Sequence, residues 1–261
     1  NRCNSKDPDD LLCVVPETAT PFVYSHPTDG IVAGIDNAFT PQEAFVLESL
    51  TNCVHEELGI REPYVQKREF GLPDDEFGDG GNLCTYLHGI LPLFAPGVAA
   101  RLVELADTMH EAFRSRDATF QGRKHESPPR TMGVRTSEFL SYERTGHLGL
   151  HDDGESYYTL SIALSDPSDY EGGEFRLQSG EKLFKRDRFA SLMFDSEMQH
   201  GVNPITGGRR KVFVIEFWPL KDTPAGELRP QKADVRRFYR QKGRQYSRPT
   251  TPNTATAAAA A

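Results

Sequence analysis

Two potential metal ligands stand two residues apart in the segment GHLGLHDDGESYYTLSIAL, residues 146–164. Successive side chains of an extended strand point to opposite faces, so His151 and Asp153 can face one centre while Asp152 points away. A histidine and a carboxylate supply two of the three protein ligands of a facial triad, which binds non-haem Fe(II) and leaves coordination positions open. Because Gly154 follows, the alternative is that Asp153 only forms a turn.

His200 is the candidate for the third ligand, because it follows a predicted strand over residues 188–194. Arg210 stands ten residues further on, at the start of the last predicted strand. Its guanidinium group can hold a carboxylate through two parallel hydrogen bonds, for which an ammonium group lacks the geometry. Arg209 is the alternative anion ligand, but spacing and strand alternation favour Arg210.

Tyr142, nine residues before His151, can donate its hydroxyl to the same carboxylate. A metal triad beside an arginine and a tyrosine is what a bound 2-oxo acid requires, because its keto-acid end chelates the metal and its far carboxylate meets the arginine. Structural interpretations remain open: His200 as a hydrogen-bonded histidine at a strand end, Arg210 as the partner of a structural carboxylate, and Tyr142 as a core tyrosine.

An ordered set of motifs extends over residues 131–219 and is more specific than any one of its parts. It resembles the Fe(II)/2-oxoglutarate-dependent dioxygenases, and within them the branch of prolyl 4-hydroxylases and procollagen-lysyl hydroxylases. The resemblance is looser over residues 31–130, where only the pattern of supporting helices agrees, and it does not extend to the tail. The motifs are Tyr142, His151-x-Asp153, YEGGEFRL at 170–177, His200 and Arg210.

The resemblance implies a double-stranded β-helix, a jelly-roll or cupin-like core buttressed by N-terminal helices in an α+β protein. It implies Fe(II) and 2-oxoglutarate as cofactors and ascorbate as a reductant. The implied iron ligands are His151, Asp153 and His200, and the implied 2-oxoglutarate contacts are Arg210, Tyr142 and Thr159.

The reaction implied by the resemblance is hydroxylation of an unactivated C–H bond, with release of succinate and CO2. Asp153 favours hydroxylation, because relatives that halogenate carry a small residue in its place. Arg210 and the DYEGGEF segment look like the lysyl-hydroxylase side of the branch, and an acidic surface attracts basic peptides. The expected substrate is therefore a prolyl or lysyl side chain of a protein or peptide.

Three alternative functions are distinguished by features of the sequence. The same chemistry on a free amino acid or small metabolite fits the same motifs. A nucleic-acid demethylase would use the basic tail, but that branch carries a second arginine where this chain has Glu216. A non-catalytic β-helix binding protein is disfavoured by the complete triad.

Two helices and five strands can be placed from their patterns. Thr40, Pro41 and Glu43 predict a capped helix start, and apolar spacing extends this helix to about residue 58. A second helix is expected from about Pro96 to Arg114, with His110 on its surface. Period-two patterns predict strands near 133–143, 157–165, 173–178, 188–194 and 210–218.

The domain organisation expected is an extended arm over 1–30, one dioxygenase domain over 31–222 and a basic, flexible tail over 223–261. Within the domain, residues 31–130 provide helical support and 131–222 the β core. The acidic segment 71–82 is expected to be a surface loop. Eight basic residues and one acidic residue occupy positions 229–261, although the chain's net charge is −8.

The four cysteines, Cys3, Cys13, Cys53 and Cys84, permit two disulfides in three pairings, or core packing for Cys53. Disulfides would suit the lumen of the secretory pathway, in the endoplasmic reticulum or Golgi. The chain begins with Asn1, which is compatible with a removed signal, and no stretch approaches the roughly 18–20 apolar residues of a membrane span. The oligomeric state is not encoded in these patterns.

Overall fold

The computed structural model of the chain describes residues 21–26, 30–58, 80–116, 132–154, 156–183 and 187–219. These residues form a mainly β structure with few helices. The predicted arm up to residue 20, residues 71–79 of the acidic segment and the predicted tail lie outside the described residues. The domain boundaries therefore stay predictions.

Helix α1 spans Pro41–Leu58, as its capping sequence predicts. Thr40 Oγ1 accepts a hydrogen bond from the Glu43 amide at 3.2 Å, and Glu43 Oε2 accepts one from the Thr40 amide at 2.8 Å. This reciprocal pair satisfies two backbone donors that a helix start otherwise leaves open. The helix end near residue 58 is also confirmed.

Helix α3 spans Pro96–Arg116 and follows the short helix α2, Leu91–Phe94. Its apolar positions are buried as predicted, including Leu102 and Met109. The surface assignment of His110 is wrong: the side chain is buried, and its Nδ1 lies 3.0 Å from the hydroxyl of Tyr158. A polar residue beside the apolar stripe is buried here because a tyrosine on the sheet bonds to it.

Twelve strands are described, and every pairing between them is antiparallel. Ten form one sheet in the order β1-β2-β9-β5-β12-β4-β10-β7-β8, with β3 also on β4, and β11 pairs with β6. The strands are β1 Phe22–His26, β2 Gly30–Ile35, β3 Gly80–Tyr86, β4 Met132–His151, β5 Tyr158–Ala163, β6 Tyr170–Gly172, β7 Phe175–Leu177, β8 Lys182–Leu183, β9 Ser191–Asp195, β10 His200–Val202, β11 Ile205–Gly208 and β12 Arg210–Pro219.

All five predicted strands are present, but the structure corrects three segments. Strand β1 lies inside the predicted arm and pairs with β2, and β3 begins inside the predicted acidic loop. Strand β4 does not stop at residue 143; it continues to His151 through Thr145, whose φ is 70°. A positive φ is uncommon for a β-branched residue, so Thr145 marks an irregularity within this long strand.

Strands β4, β12 and β5 share one face that is here called the inner face. Directly paired residues point to the same side, so pairing places Tyr142 opposite Arg210 and Thr159 opposite Glu216 on it. The opposite face carries buried apolar residues, and α3 packs against β1, β2 and β4. The inner-face positions are Thr136, Glu138, Leu140 and Tyr142 on β4, Arg210, Val212, Val214 and Glu216 on β12, and Thr159, Ser161 and Ala163 on β5.

The cysteines depart from the two-disulfide expectation. Cys53 is disulfide-bonded, whereas Cys84 is a free, partly buried thiol. With Cys84 unbridged, the chain cannot form two internal disulfides. None of the helices among the described residues is long and apolar enough to cross a membrane.

Candidate metal centre

His151, Asp153 and His200 converge at one point of the structure. Their ligand atoms all lie within 4.8 Å of one another. Asp153 Oδ1 is 3.4 Å from His151 Nε2, and Asp153 Oδ2 is 3.7 Å from His200 Nε2. The convergence follows from pairing, because His151 ends β4 directly opposite His200, which begins β10.

Both imidazole rings are oriented by backbone carbonyls. His151 Nδ1 lies 2.8 Å from the Gly149 carbonyl oxygen, and His200 Nδ1 lies 2.9 Å from that of Met198. A carbonyl only accepts, so each Nδ1 carries the proton and donates it. Each Nε2 is thereby left with its lone pair directed towards the other two ligands, as metal coordination requires.

His200 is enclosed by aromatic rings. The Phe175 ring stacks on it with centroids 5.3 Å apart, and the Phe194 ring approaches to 4.5 Å. Burial in these surroundings lowers the pKa of His200 and outweighs the opposing charge of Asp153. A neutral imidazole is the form that binds a metal ion.

Asp153 is held by partners that favour its ionised form. Burial acts to raise its pKa, but the neighbouring imidazoles of His151 and His200 and the Thr159 hydroxyl outweigh burial and lower it. Its backbone amide donates to the Ser196 carbonyl at 2.8 Å. The carboxylate is therefore an anion held between the two rings.

Asp152 faces away from this cluster, as strand alternation predicts. It is exposed and accepts hydrogen bonds from the Gln199 amide group at 2.6 Å and from the Gly154 backbone amide at 3.0 Å. The bond to Gln199 links the turn that carries Asp153 to the residue preceding His200. The spacer residue thus connects the two ligand-bearing segments.

Arg210 and Tyr142 lie opposite each other on β12 and β4, and the Arg210 guanidinium carbon is 5.2 Å from the centre of the Tyr142 ring. Tyr142 is almost fully buried. Arg210 Nη1 is buried and has no hydrogen-bond partner among the described residues. A buried cationic donor of this kind needs an anionic or carbonyl partner, since leaving it unbonded is costly.

Arg209 occupies a different position from Arg210. Its side chain is more than half exposed and forms an ion pair with Glu143. Of the two candidate anion ligands, only Arg210 points to the interior. The apolar residues around it form one cluster with Tyr142: Leu140, Tyr170, Val202, Ile205 and Val212.

Thr159 lies on the inner face beside the ligand cluster. Its hydroxyl donates to Asp153 Oδ2 and lies 3.1 Å from the Ser196 hydroxyl. Its predicted contact with 2-oxoglutarate stays a prediction. The hydrogen bonds that it makes in the structure are to Asp153 and Ser196.

Two partly buried carboxylates on the inner face were not anticipated. Glu138 has no ion-pair partner among the described residues, and burial together with the charges of Glu216 and Asp153 raises its pKa to about 8. Burial also raises the pKa of Glu216, which is bonded to Arg135 and Ser156. Period-two alternation from Tyr142 and Arg210 places both carboxylates on the inner face and was the available signal.

No protein-family model matches the chain. Among solved structures, it is similar to a prolyl-4-hydroxylase of Pseudomonas putida, with 13% identity, coverage of 72% of this chain and 91% of that one, and a TM-score of 0.48. It is also similar to a prolyl hydroxylase of Trichoplax adhaerens solved with a hypoxia-inducible-factor peptide, with 14% identity, coverage of 77% and 88%, and a TM-score of 0.49.

Curated relatives are found by sequence. A PKHD-type hydroxylase of Gloeothece citriformis is 29% identical over 109 residues, which cover 38% of this chain and 50% of the relative. A second, from Sphingopyxis alaskensis, is 35% identical over 81 residues, covering 26% and 37%. The chain thus spans at most about half the length of these relatives. Both relatives are PKHD-type hydroxylases, which agrees with the hydroxylase resemblance that the motifs indicate.

Proposed function

We propose that the protein is an Fe(II)- and 2-oxoglutarate-dependent oxygenase that hydroxylates an unactivated C–H bond. The observation that carries this proposal is the convergence of His151, Asp153 and His200 within 4.8 Å, each oriented by its own hydrogen bonds. Two neutral imidazoles and one carboxylate are the donor set of non-haem Fe(II) oxygenases, and three protein ligands leave positions for a substrate.

The residues present fit 2-oxoglutarate as well as iron. Arg210 offers a buried N–H without a partner among the described residues, and Tyr142 stands beside it. A carboxylate bound there would gain charge-assisted hydrogen bonds in apolar surroundings, where such bonds are strong. The cluster around Leu140 and Val212 would exclude water from the bound acid.

The iron, when bound, supplies the oxygen chemistry that converts 2-oxoglutarate to succinate and CO2, with ascorbate as the reductant. The chain's own contribution is placement. His151 and His200 present their Nε2 lone pairs, Asp153 holds a fixed negative charge, and Arg210 orients the far carboxylate. Phe175 and Phe194 shield His200 from solvent.

We infer further that the β core is a double-stranded β-helix. The antiparallel pairing of all described strands supports this topology, as does the position of β4, which pairs with β12 along one stretch and with β10 at its end. Such a strand contributes to two faces of a barrel-like core. The ligand-bearing ends of β4 and β10 would then meet at one mouth of that core.

The substrate that we propose is a prolyl or lysyl side chain of a protein or peptide. The curated relatives are PKHD-type hydroxylases, which supports a substrate that is hydroxylated. Glu138 supports a basic group, because a carboxylate in the interior without a described cation partner gains from a cationic one. The disulfide of Cys53 supports our proposal of a secretory-pathway lumen as the compartment.

The test is incubation of the protein with Fe(II), ascorbate, 2-oxoglutarate and a peptide library that contains proline and lysine, read by mass spectrometry. One added oxygen atom on a residue, absent with the Asp153→Ala variant, would establish a protein hydroxylase. Succinate without peptide oxidation would direct the proposal to a free amino acid or small metabolite. Neither product, together with no metal binding, would contradict the proposal and favour a non-catalytic binding protein.

A further inference from the structure

We propose that Thr159 and Ser196 are positioning residues that fix the Asp153 carboxylate for metal binding. This inference rests on the proposed function, because it concerns the same metal centre. It assigns Thr159 a role different from the cofactor contact that the resemblance implies. The pair would set the affinity of the site for a divalent transition metal.

Thr159 is the first element of this arrangement. It is fully buried on β5, and its hydroxyl donates to Asp153 Oδ2. The hydroxyl has a single proton, so it must act as acceptor towards the Ser196 hydroxyl, 3.1 Å away. The direction of the chain is therefore defined: Ser196 donates to Thr159, and Thr159 donates to Asp153.

Ser196 closes the arrangement into a ring. Its carbonyl oxygen accepts the Asp153 backbone amide at 2.8 Å, and its own amide donates to the Tyr157 carbonyl at 3.3 Å. Asp153 is consequently held at two points by one residue, directly through the backbone and through Thr159 at the carboxylate. The side chain of Ser196 is completely buried, so water does not replace either bond.

The geometry leaves one carboxylate oxygen less constrained than the other. Oδ2 accepts the Thr159 proton, whereas Oδ1 lies 3.4 Å from His151 Nε2, the atom that would itself bind the metal. A hydroxyl that occupies Oδ2 turns the carboxylate plane and fixes its rotamer. Bonds of this kind to a metal-ligating carboxylate typically change metal affinity 10–100-fold when removed.

The experiment is a titration of purified apoprotein with Co(II), a redox-stable probe, followed by calorimetry and by the visible absorption of the bound ion. Thr159→Val removes the hydroxyl at nearly constant volume and is expected to weaken Co(II) binding about 10–100-fold. Thr159→Ser keeps the hydroxyl and should restore affinity. Ser196→Ala should weaken binding by a smaller factor, since it removes only the outer donor.

Thr51→Val is the matched control. Thr51 is also a buried threonine whose hydroxyl makes a hydrogen bond, to the Leu47 carbonyl at 2.8 Å, but it lies in α1. It should lower the unfolding temperature without changing Co(II) affinity. A Thr159→Val affinity equal to that of the wild type, or an equal loss in Thr159→Ser, would overturn the positioning role.

Failure of this inference is distinguishable from failure of the proposed function. If the wild type binds Co(II) and His200→Ala does not, the metal centre stands, and only the Thr159 variants decide the inference. If the wild type binds no Co(II), or His200→Ala binds it equally well, the metal centre itself is wrong and the positioning role falls with it. Circular dichroism of the apoproteins checks that each variant keeps the folded structure of the wild type.

Discussion

At the residue scale, spacing in the sequence identified residues that the structure brings together. His151 and Asp153 could be predicted as ligands of one metal ion because side chains alternate strictly along an extended chain. His200 could be predicted as the third ligand because it follows a predicted strand. Thr159 and Ser196 could not be paired in advance. Their hydroxyls meet only because β5 and the turn after β9 are adjacent in space, and local sequence does not encode that adjacency.

Loss of a candidate ligand should remove metal binding while leaving the fold in place. We expect Asp153→Ala to abolish Co(II) binding and 2-oxoglutarate turnover, because two neutral imidazoles alone form an incomplete and uncharged site. Co(II) titration and succinate release measure the effect. Asp152→Asn is the neighbouring control: it keeps an acceptor oxygen at an exposed position and should weaken binding by no more than about threefold. Equal losses in both variants would contradict the assignment of Asp153.

Arg210 and Arg209 provide a matched pair of arginines. We expect Arg210→Ala to weaken 2-oxoglutarate binding about 10–100-fold, the effect of losing hydrogen bonds to a charged group, with metal affinity unchanged. Arg209→Ala should have little effect, since its exposed side chain is paired with Glu143. Calorimetric titration of 2-oxoglutarate into the Co(II) form distinguishes the two, and unchanged affinity in Arg210→Ala would disprove the anion site.

At the element scale, the helices were predictable and part of the sheet was not. The α1 boundary follows from Thr40 and Glu43, whose reciprocal bonds are local in sequence. Strands β1 and β3 have no comparable local signal, because their stability comes from pairing with β2 and β4. His110 was misplaced for the same reason, since Tyr158 is distant in sequence.

The glycine at the end of β6 should tolerate no side chain. Gly172 has a φ of 73°, and a Cβ there would overlap the Pro204 carbonyl oxygen. Gly180 also has a positive φ, 86°, but nothing lies within 4 Å of an added Cβ. Substitution of Gly180 therefore measures the cost of the backbone strain alone, without a clash. We expect Gly180→Ala to cost about 1–2 kcal/mol in the free energy of unfolding and Gly172→Ala more. Urea denaturation measures both, and equal costs would show that the clash is relieved.

At the scale of the whole molecule, buried carboxylates make stability depend on pH. The pKa of Glu138 is raised from an ordinary 4.5 to about 8, so the folded state binds this proton more tightly than the unfolded state does. Stability from this group is present below pH 4.5 and is lost as the pH rises towards 8, by up to about 1.4 kcal/mol per pH unit.

Glu138→Gln should therefore flatten this dependence in the apoprotein and stabilise it most at alkaline pH. Glu171→Gln, an exchange at an exposed glutamate, should leave the profile unchanged. Unfolding free energies measured between pH 5 and about 8.5 provide the comparison. An unaltered slope in Glu138→Gln would mean that another group dominates the titration.

Strand β4 carries both Tyr142 and His151. Its register is fixed against β12 at Tyr142 and against β10 at His151. Because a shift of one residue turns every following side chain to the opposite face, an insertion or deletion between these positions would turn His151 away from the site while Tyr142 stayed in place. Over evolutionary time the interval between them should therefore hardly vary in length. Gains and losses of residues should accumulate instead in the connections outside β4, and the nine-residue interval should persist even where the surrounding sequence has diverged.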